Sequence, residues 1–336
     1  MRAKHQPGST FKLFVYTAAM ERGLVPCDRR LDEYIDTLVY NEEKRELEHW
    51  RPTNANGTFS GAEMTLRAAF AQSINSVTVR VGSEVGFAEI AQLARDMGIK
   101  SPMEPKPALS LGASDVDLME LVNSYCTVVN DGMRSDPVIV TRIVDRDGKE
   151  IYHAPSHQER AISYRSAWLM QQMLLACRTD AGGTGMALNG YITRPLYDVD
   201  LGGKTGTSNR HADAWFVAVS PGLVCGSWVG GEYRQIHFRW GALGQGSRTA
   251  LPICGRFLQL VLSDPQFQRY HQRFQPCKEP IDAALYSGCS AIGEVEEFDS
   301  TMLEMEDDSL FVPLTDDINP DEKLRIEEPS SLPDSV

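Results

Sequence analysis

Gly202-Gly203-Lys204-Thr205-Gly206-Thr207, followed after five intervening residues by Asp213-Ala214-Trp215-Phe216-Val217-Ala218-Val219, is the stretch on which the reading of this chain turns. The second run is short, aromatic and β-branched, as a buried strand should be. Ser220-Pro221-Gly222 makes a tight turn into a similar run, Leu223–Val229, so neighbouring antiparallel strands are expected. Lys204–Thr207 would be the strand that lines a cleft. Gly206 there would let a substrate backbone lie close, since a side chain would stand in its way. Lys204, Thr205 and Thr207 supply a cation and two hydroxyls, a match for a terminal carboxylate. A surface edge strand with a chance lysine would read the same way if nothing else accompanied it.

Two shorter patterns precede it in a meaningful order. Ser9-Thr10-Phe11-Lys12 lies near the N-terminus and Ser73-Ile74-Asn75 falls between. A lone S-x-x-K is expected about once by chance in a chain this long, and S-x-N is as weak; the ordered trio is far rarer. Pro7-Gly8-Ser9 reads as a helix start, with an apolar run to Ala19 and a stop at Gly23. Three residues is about one turn, so Ser9 and Lys12 share a face. A serine hydroxyl needs an adjacent base to become a nucleophile, and an apolar surround with a second lysine nearby would lower the Lys12 pKa towards that task. Ser73 and Asn75 suit a short connection between helices at Met64–Gln72 and Val77–Val85, where a hydroxyl can relay a proton and an amide can hold a substrate backbone group. Capping of the second helix is the plainer job for both residue types.

The trio resembles the active-site set of the penicillin-binding proteins and serine β-lactamases. The segments Gln6–Lys12, Trp50–Asn54, Met64–Ala69, Leu109–Ala113, Leu118–Gly132 and Lys204–Phe216 extend the resemblance, over roughly residues 1–262, to the transpeptidase domain of class A high-molecular-weight penicillin-binding proteins. It implies an α+β fold, an antiparallel sheet flanked by helices. It also implies a serine D,D-transpeptidase that acts on peptidoglycan stem peptides ending in D-Ala-D-Ala and is acylated by penicillin and other β-lactams. In that mapping Ser9 is the nucleophile, Lys12 its base, and Ser73 a proton shuttle. Asn75, Lys204, Thr205, Gly206 and Thr207 bind substrate, and the backbone N–H groups of Ser9 and Thr207 form the oxyanion hole. No cofactor is implied. The alternatives are a serine β-lactamase and a non-catalytic penicillin-binding fragment. The E-x-x-L-N loop of class A β-lactamases is absent between Asn75 and Lys204, and Glu120-Leu121-Val122-Asn123 comes nearest but with the wrong spacing.

Members of that family carry a membrane anchor, a glycosyltransferase domain and at least two sheet strands before the nucleophile, whereas here the nucleophile is residue 9. The resemblance therefore leads us to expect the C-terminal piece of a larger bifunctional enzyme at the periplasmic face of the inner membrane, with a sheet missing its N-terminal strands and exposing an edge. Neither a signal-peptide pattern nor an apolar run near 20 residues is present.

The net charge of −13 lies wholly at one end: residues 291–336 hold 15 acids and 2 bases, and residues 1–290 hold 31 of each. A transpeptidase domain at 1–275 and an acidic, disordered extension at 276–336 are expected. A near-neutral body gives no reason to expect nucleic-acid binding. Further helices are read at Phe87–Met97, Val116–Asn130, Ser163–Arg178 and Pro252–Leu262, and a hairpin around Asp147-Gly148 pairing 137–140 with 149–152. Seven cysteines form no C-x-x-C pair and the histidines no ligand pattern, so no metal site is read. Cys277 and Cys289 are candidates for a disulfide, and His211 reads as a surface residue.

Overall fold

The computed structural model of the chain describes residues 3–42, 44–192 and 198–292. The expected acidic extension from residue 293 onward lies outside the described residues.

Helix α1 (Lys12–Glu21) is the centre of the body, preceded by a 3₁₀ turn at Gly8–Phe11. Every residue from Lys12 to Met20 is buried, so this helix is enclosed on all sides and shows no amphipathic stripe. Gly23 ends it: at φ 94 it lets Leu24 N return to the Ala19 carbonyl at 3.1 Å. Around it lie α2 (Leu66–Ala71), α3 (Asn75–Val85), α4 (Phe87–Asp96), α5 (Leu118–Val129) and α6 (Tyr164–Thr179), with a four-residue α7 (Gly241–Gly244) and α8 (Ala250–Ser263) further on. The expected helices are all present within a few residues. Met64 and Val116 are exceptions to their assigned helices. Each lies in a short strand before its helix, where Thr65 and Asp117 cap the first turn by accepting from Ala68 N and Met119 N.

Among the described residues ten short strands are paired in twos: β1 (Lys4–His5) with β6 (Val116–Asp117), β2 (Arg29–Leu31) with β5 (Glu63–Thr65), β3 (Thr37–Asn41) with β4 (Glu46–Trp50), β7 (Met133–Ser135) with β10 (Gln158–Arg160), and β8 (Arg142–Val144) with β9 (Glu150–His153). The expected partner of residues 149–152 was 137–140; the observed partner is 142–144. Asp145 Oδ1 accepts from the backbone of Asp147 and Lys149, both at 2.9 Å, and so closes a tight turn that pairs nearer residues.

The main sheet is an antiparallel meander of β11 (Gly202–Thr207), β12 (Asp213–Ser220) and β13 (Leu223–Gly230). The two faces of β12 serve two cores: Trp215, Val217 and Val219 face the α1 core, while Phe216 and Ala218 face α8. No strand pairs with the outer edge of β13 among the described residues.

Residues 276–292, expected as part of the extension, lie on the body. Leu285 O accepts from Cys27 N at 3.0 Å, Ala291 O accepts from Thr65 N at 3.0 Å, and Tyr286 packs edge-on against Trp168. Cys289 is disulfide-bonded to Cys27, with Cα atoms 5.8 Å apart, and Cys277 is free. The expected Cys277–Cys289 pair is thus corrected. The return of the chain alongside β5 brings Cys289 to a partner 262 residues away.

Candidate active site

Three elements spread over nearly 200 positions of the sequence meet at one cavity of about 510 Å³, lined by Ser9, Ser73, Asn75, Thr205 and Thr207 among others. Ser9 sits in the 3₁₀ turn before α1, where residues i and i+3 eclipse, so Ser9 and Lys12 share a face as expected. That turn is clamped. Gly8 has φ 53, and a Cβ on it would lie 2.6 Å from the Thr207 carbonyl oxygen. Trp215 Nε1 donates to Gln6 O at 2.7 Å, and Tyr125 Oη donates to Thr10 O at 2.8 Å.

Gly206 has a different neighbour from the one expected. The space its side chain would need is filled by the Pro7 carbonyl and, at 2.9 Å, by Thr10 Cγ2. The residue lets β11 lie directly on the Ser9 turn, so the observed reason for glycine is helix–strand contact within the protein.

Two buried lysines converge on Ser73. Lys204 Nζ donates to Ser73 Oγ at 2.9 Å and lies 5.7 Å above the Phe70 ring. Lys12 Nζ lies 3.4 Å from the same hydroxyl and donates to Ser73 O (2.8 Å), Ile74 O (3.2 Å) and Asn75 Oδ1 (2.7 Å). Ser73 is left-handed (φ 62), uncommon for a residue with a side chain, and in that conformation its carbonyl and hydroxyl both face the amines. Burial lowers the Lys12 pKa well below its ordinary value, and the Lys204 charge lowers it further. Burial lowers the Lys204 amine to about 8. Two cations cannot share this apolar enclosure cheaply, while the three oxygens around Lys12 Nζ accept from it and hold its proton.

Neither Ser73 nor Asn75 caps α3. Its first turn is capped from outside: Asn54 Oδ1 accepts from Asn75 N at 2.9 Å and Ser76 N at 3.2 Å. The Asn54 amide nitrogen donates to Asp32 Oδ1 (2.7 Å) and Thr58 O (2.9 Å), and Ser76 Oγ also donates to Asp32 Oδ1. Burial works to raise the Asp32 carboxyl, but donation from Ser76, Ser60 and Asn54 outweighs it and holds the pKa below the ordinary value. The Asn75 side chain is thereby left to join Lys12 to the Thr53 carbonyl, to which its Nδ2 donates at 2.7 Å.

Sequence reasoning missed Asn54 and Asp32 as parts of the site. Asn54 stood in a segment that carried the resemblance, but Asp32 carried no signal. His211, read as a surface residue, is half-buried and lines the cavity. The described residues contain no helix long and apolar enough to cross a membrane.

Residues 1–222 match the family profile described as penicillin binding protein transpeptidase domain. The chain is 32% identical over 281 residues to penicillin-binding protein 1A of Rickettsia typhi, covering 78% of this chain and 34% of that protein. The fold matches the crystal structure of penicillin-binding protein 1A from Haemophilus influenzae, with a TM-score of 0.71, 25% identity, and coverage of 82% of this chain and 44% of that one. It also matches PonA1 of Mycobacterium tuberculosis in complex with penicillin V, with a TM-score of 0.66 and 19% identity over 86% of this chain and 76% of that one. The chain spans about a third of the length of the curated relatives it matches.

Proposed function

The chain belongs to the penicillin-binding protein transpeptidase family, and from that premise we propose that it is a serine D,D-transpeptidase that cross-links peptidoglycan stem peptides. Ser9 Oγ attacks the carbonyl of the penultimate D-alanine while its proton passes to the Lys12 amine, which when neutral keeps two of its three acceptor contacts and turns its lone pair to Ser9. The oxyanion of the tetrahedral intermediate accepts from the backbone N–H groups of Ser9 and Thr207. The C–N bond then breaks, and the departing D-alanine nitrogen takes a proton through Ser73 Oγ. An amine of a second strand attacks the resulting ester, forms the new amide and returns the proton to Ser9. Lys204, Thr205 and Thr207 hold the terminal carboxylate. With a β-lactam the bond that breaks is the ring amide, so the leaving nitrogen stays tethered and the ester persists.

The observation that carries this reading is the single hydroxyl of Ser73 set 3.4 Å from Lys12 Nζ and 2.9 Å from Lys204 Nζ, with both amines buried and both pKa values lowered. That arrangement supplies a base and a relay without a carboxylate. The β-lactamase alternative needs a base for the deacylating water. Among the described residues the cavity lining contains no Asp or Glu, and Glu120 is engaged elsewhere, accepting from Ser101 N and Oγ. We place the parent enzyme at the periplasmic face of the inner membrane, with a glycosyltransferase domain, on the strength of the family.

The test is labelling with fluorescent benzylpenicillin followed by peptide mapping. A stable adduct on Ser9, lost in Ser9→Ala, is expected; rapid turnover, an adduct on another residue, or none would overturn the reading.

A further inference from the structure

The rim of the cleft carries a charge that the acyl-transfer chemistry leaves unused. Arg210 is exposed and lines the cavity from the turn that follows β11. Arg210 and His211 both hold left-handed backbone angles, φ 59 and 58, a conformation that persists only where the surroundings over-determine it. They do so here. Ser208 Oγ donates to Asp213 Oδ2 at 2.8 Å and accepts from Asp213 N at 2.9 Å. Ser208 N donates to Asp213 O at 2.9 Å, and His211 N donates to Ser208 O at 3.1 Å. The His211 side chain packs so closely on α7 that a Cβ on Gly244 would lie 2.5 Å from its own Cβ.

The turn does not consume the Arg210 charge. Asp213, the carboxylate behind it, is buried, and its Oδ1 is taken by Trp228 Nε1 at 3.0 Å and His5 Nδ1 at 3.2 Å, while Arg234 lies 3.8 Å from Oδ2. Arg210 makes no ion pair among the described residues. None of the sixteen residues lining the cavity is acidic.

Order along β11 gives the charge a direction. Lys204 and Thr205 come first, Thr207 lies against the Ser9 turn, and Arg210 comes after it. An extended acyl donor laid along this strand, with its terminal carboxylate at Thr205 and its reacting carbonyl over Ser9, runs its preceding residues towards Arg210. We propose that Arg210 forms a second anion subsite of the cleft, for a carboxylate borne on the acyl side of the scissile bond. The inference rests on the transpeptidase reading and adds a preference within it: dianionic acyl donors over monoanionic ones.

Two penicillins make the comparison. Benzylpenicillin has one carboxylate; carbenicillin is the same molecule with a second on the side-chain α carbon. The quantity read is the ratio of their second-order acylation rate constants, carbenicillin over benzylpenicillin, measured on the same preparation, so that losses in folded protein cancel. From the usual worth of an exposed pair, the ratio should fall about threefold in Arg210→Asn, which tolerates the left-handed turn, and about tenfold in Arg210→Glu. Arg210→Lys should keep most of it. In the unaltered protein the ratio should also fall as salt is raised, because an exposed pair is screened. A ratio unchanged in both the Asn and Glu variants, or indifferent to salt, overturns the subsite while leaving the transpeptidase reading intact. A protein that neither compound acylates overturns that reading, and the subsite with it.

Discussion

Replacing Asn54 by alanine should damage acylation more than it damages the fold. Asn54 is 4% exposed, and its side chain makes four hydrogen bonds: two accepted from the α3 N-terminus, and two donated, to Asp32 and to the Thr58 carbonyl. Loss of a helix cap costs typically about 1 kcal/mol. Loss of a bond to a charged group costs about 1.5–3 kcal/mol, and a neutral one about 0.5–1.5 kcal/mol. Because Asn54 also borders the cleft, water can replace part of this, and a net loss of about 3 kcal/mol is expected. A domain stable by about 5–15 kcal/mol survives that; for its size the melting temperature should fall by about 5–10 °C. The chemistry is less tolerant. Three of the Lys12 contacts (Ser73 O, Ile74 O and Asn75 Oδ1) belong to the loop that Asn54 pins, and a displacement near 1 Å can cost about 100-fold in rate. Benzylpenicillin acylation, followed by stopped-flow quenching of tryptophan fluorescence, should slow by about 10- to 100-fold. Asn54→Asp keeps the acceptor for the two N–H groups but sets a carboxylate against Asp32 Oδ1, so it should recover part of the rate and do so best at acid pH. An alanine variant that melts within about 1 °C of the unaltered protein and acylates within about twofold would refute the reasoning.

The pH–rate profile of acylation should be bell-shaped: the acid limb follows loss of the Lys12 proton at its lowered pKa, and the alkaline limb near pH 8 follows loss of the Lys204 charge that holds the carboxylate; a rate still rising above pH 9 would reassign Lys204. The same two shifts act on stability with a definite sign. Their unfolded pKa values lie above the folded ones, so the unfolded state binds more protons from about pH 8 up to its own pKa, and these two groups should make the protein more stable as pH rises through that window. Lys12→Arg should abolish acylation, because a guanidinium stays protonated, and near-native acylation would move the base to another group. Gly206→Ala should destabilise by about 1–3 kcal/mol and shift the Ser9 turn, seen as a lowered melting temperature; unaltered melting would show the contact with Pro7 to be slack. Reduction of Cys27–Cys289 should cost about 2–4 kcal/mol by releasing a long loop, and identical melting with and without a thiol reductant would show that bridge to be idle.

Local pattern was enough for the elements and for naming the groups that we propose as reacting. Alternation and short apolar runs separate β11–β13 from the helices, Gly23 and Gly98 mark helix ends through positive φ, and the residue types at Ser9, Lys12, Ser73 and Lys204 announce serine acyl transfer. Those signals act within a few residues of one another, which is why they can be read along the chain. The remainder depended on which distant segments come to share a volume. Asn54 rather than Ser73 or Asn75 caps α3, because a side chain 21 residues upstream reaches the helix end first. Gly206 is glycine for Pro7, 199 positions away, a contact that exists only once β11 lies on the Ser9 turn. Cys289 finds Cys27 because the chain returns along β5. The lowered pKa values of Lys12 and Lys204 have the same origin: the burial of both amines, and the Lys204 charge that acts on Lys12, arise only when two segments 192 positions apart are packed around one hydroxyl.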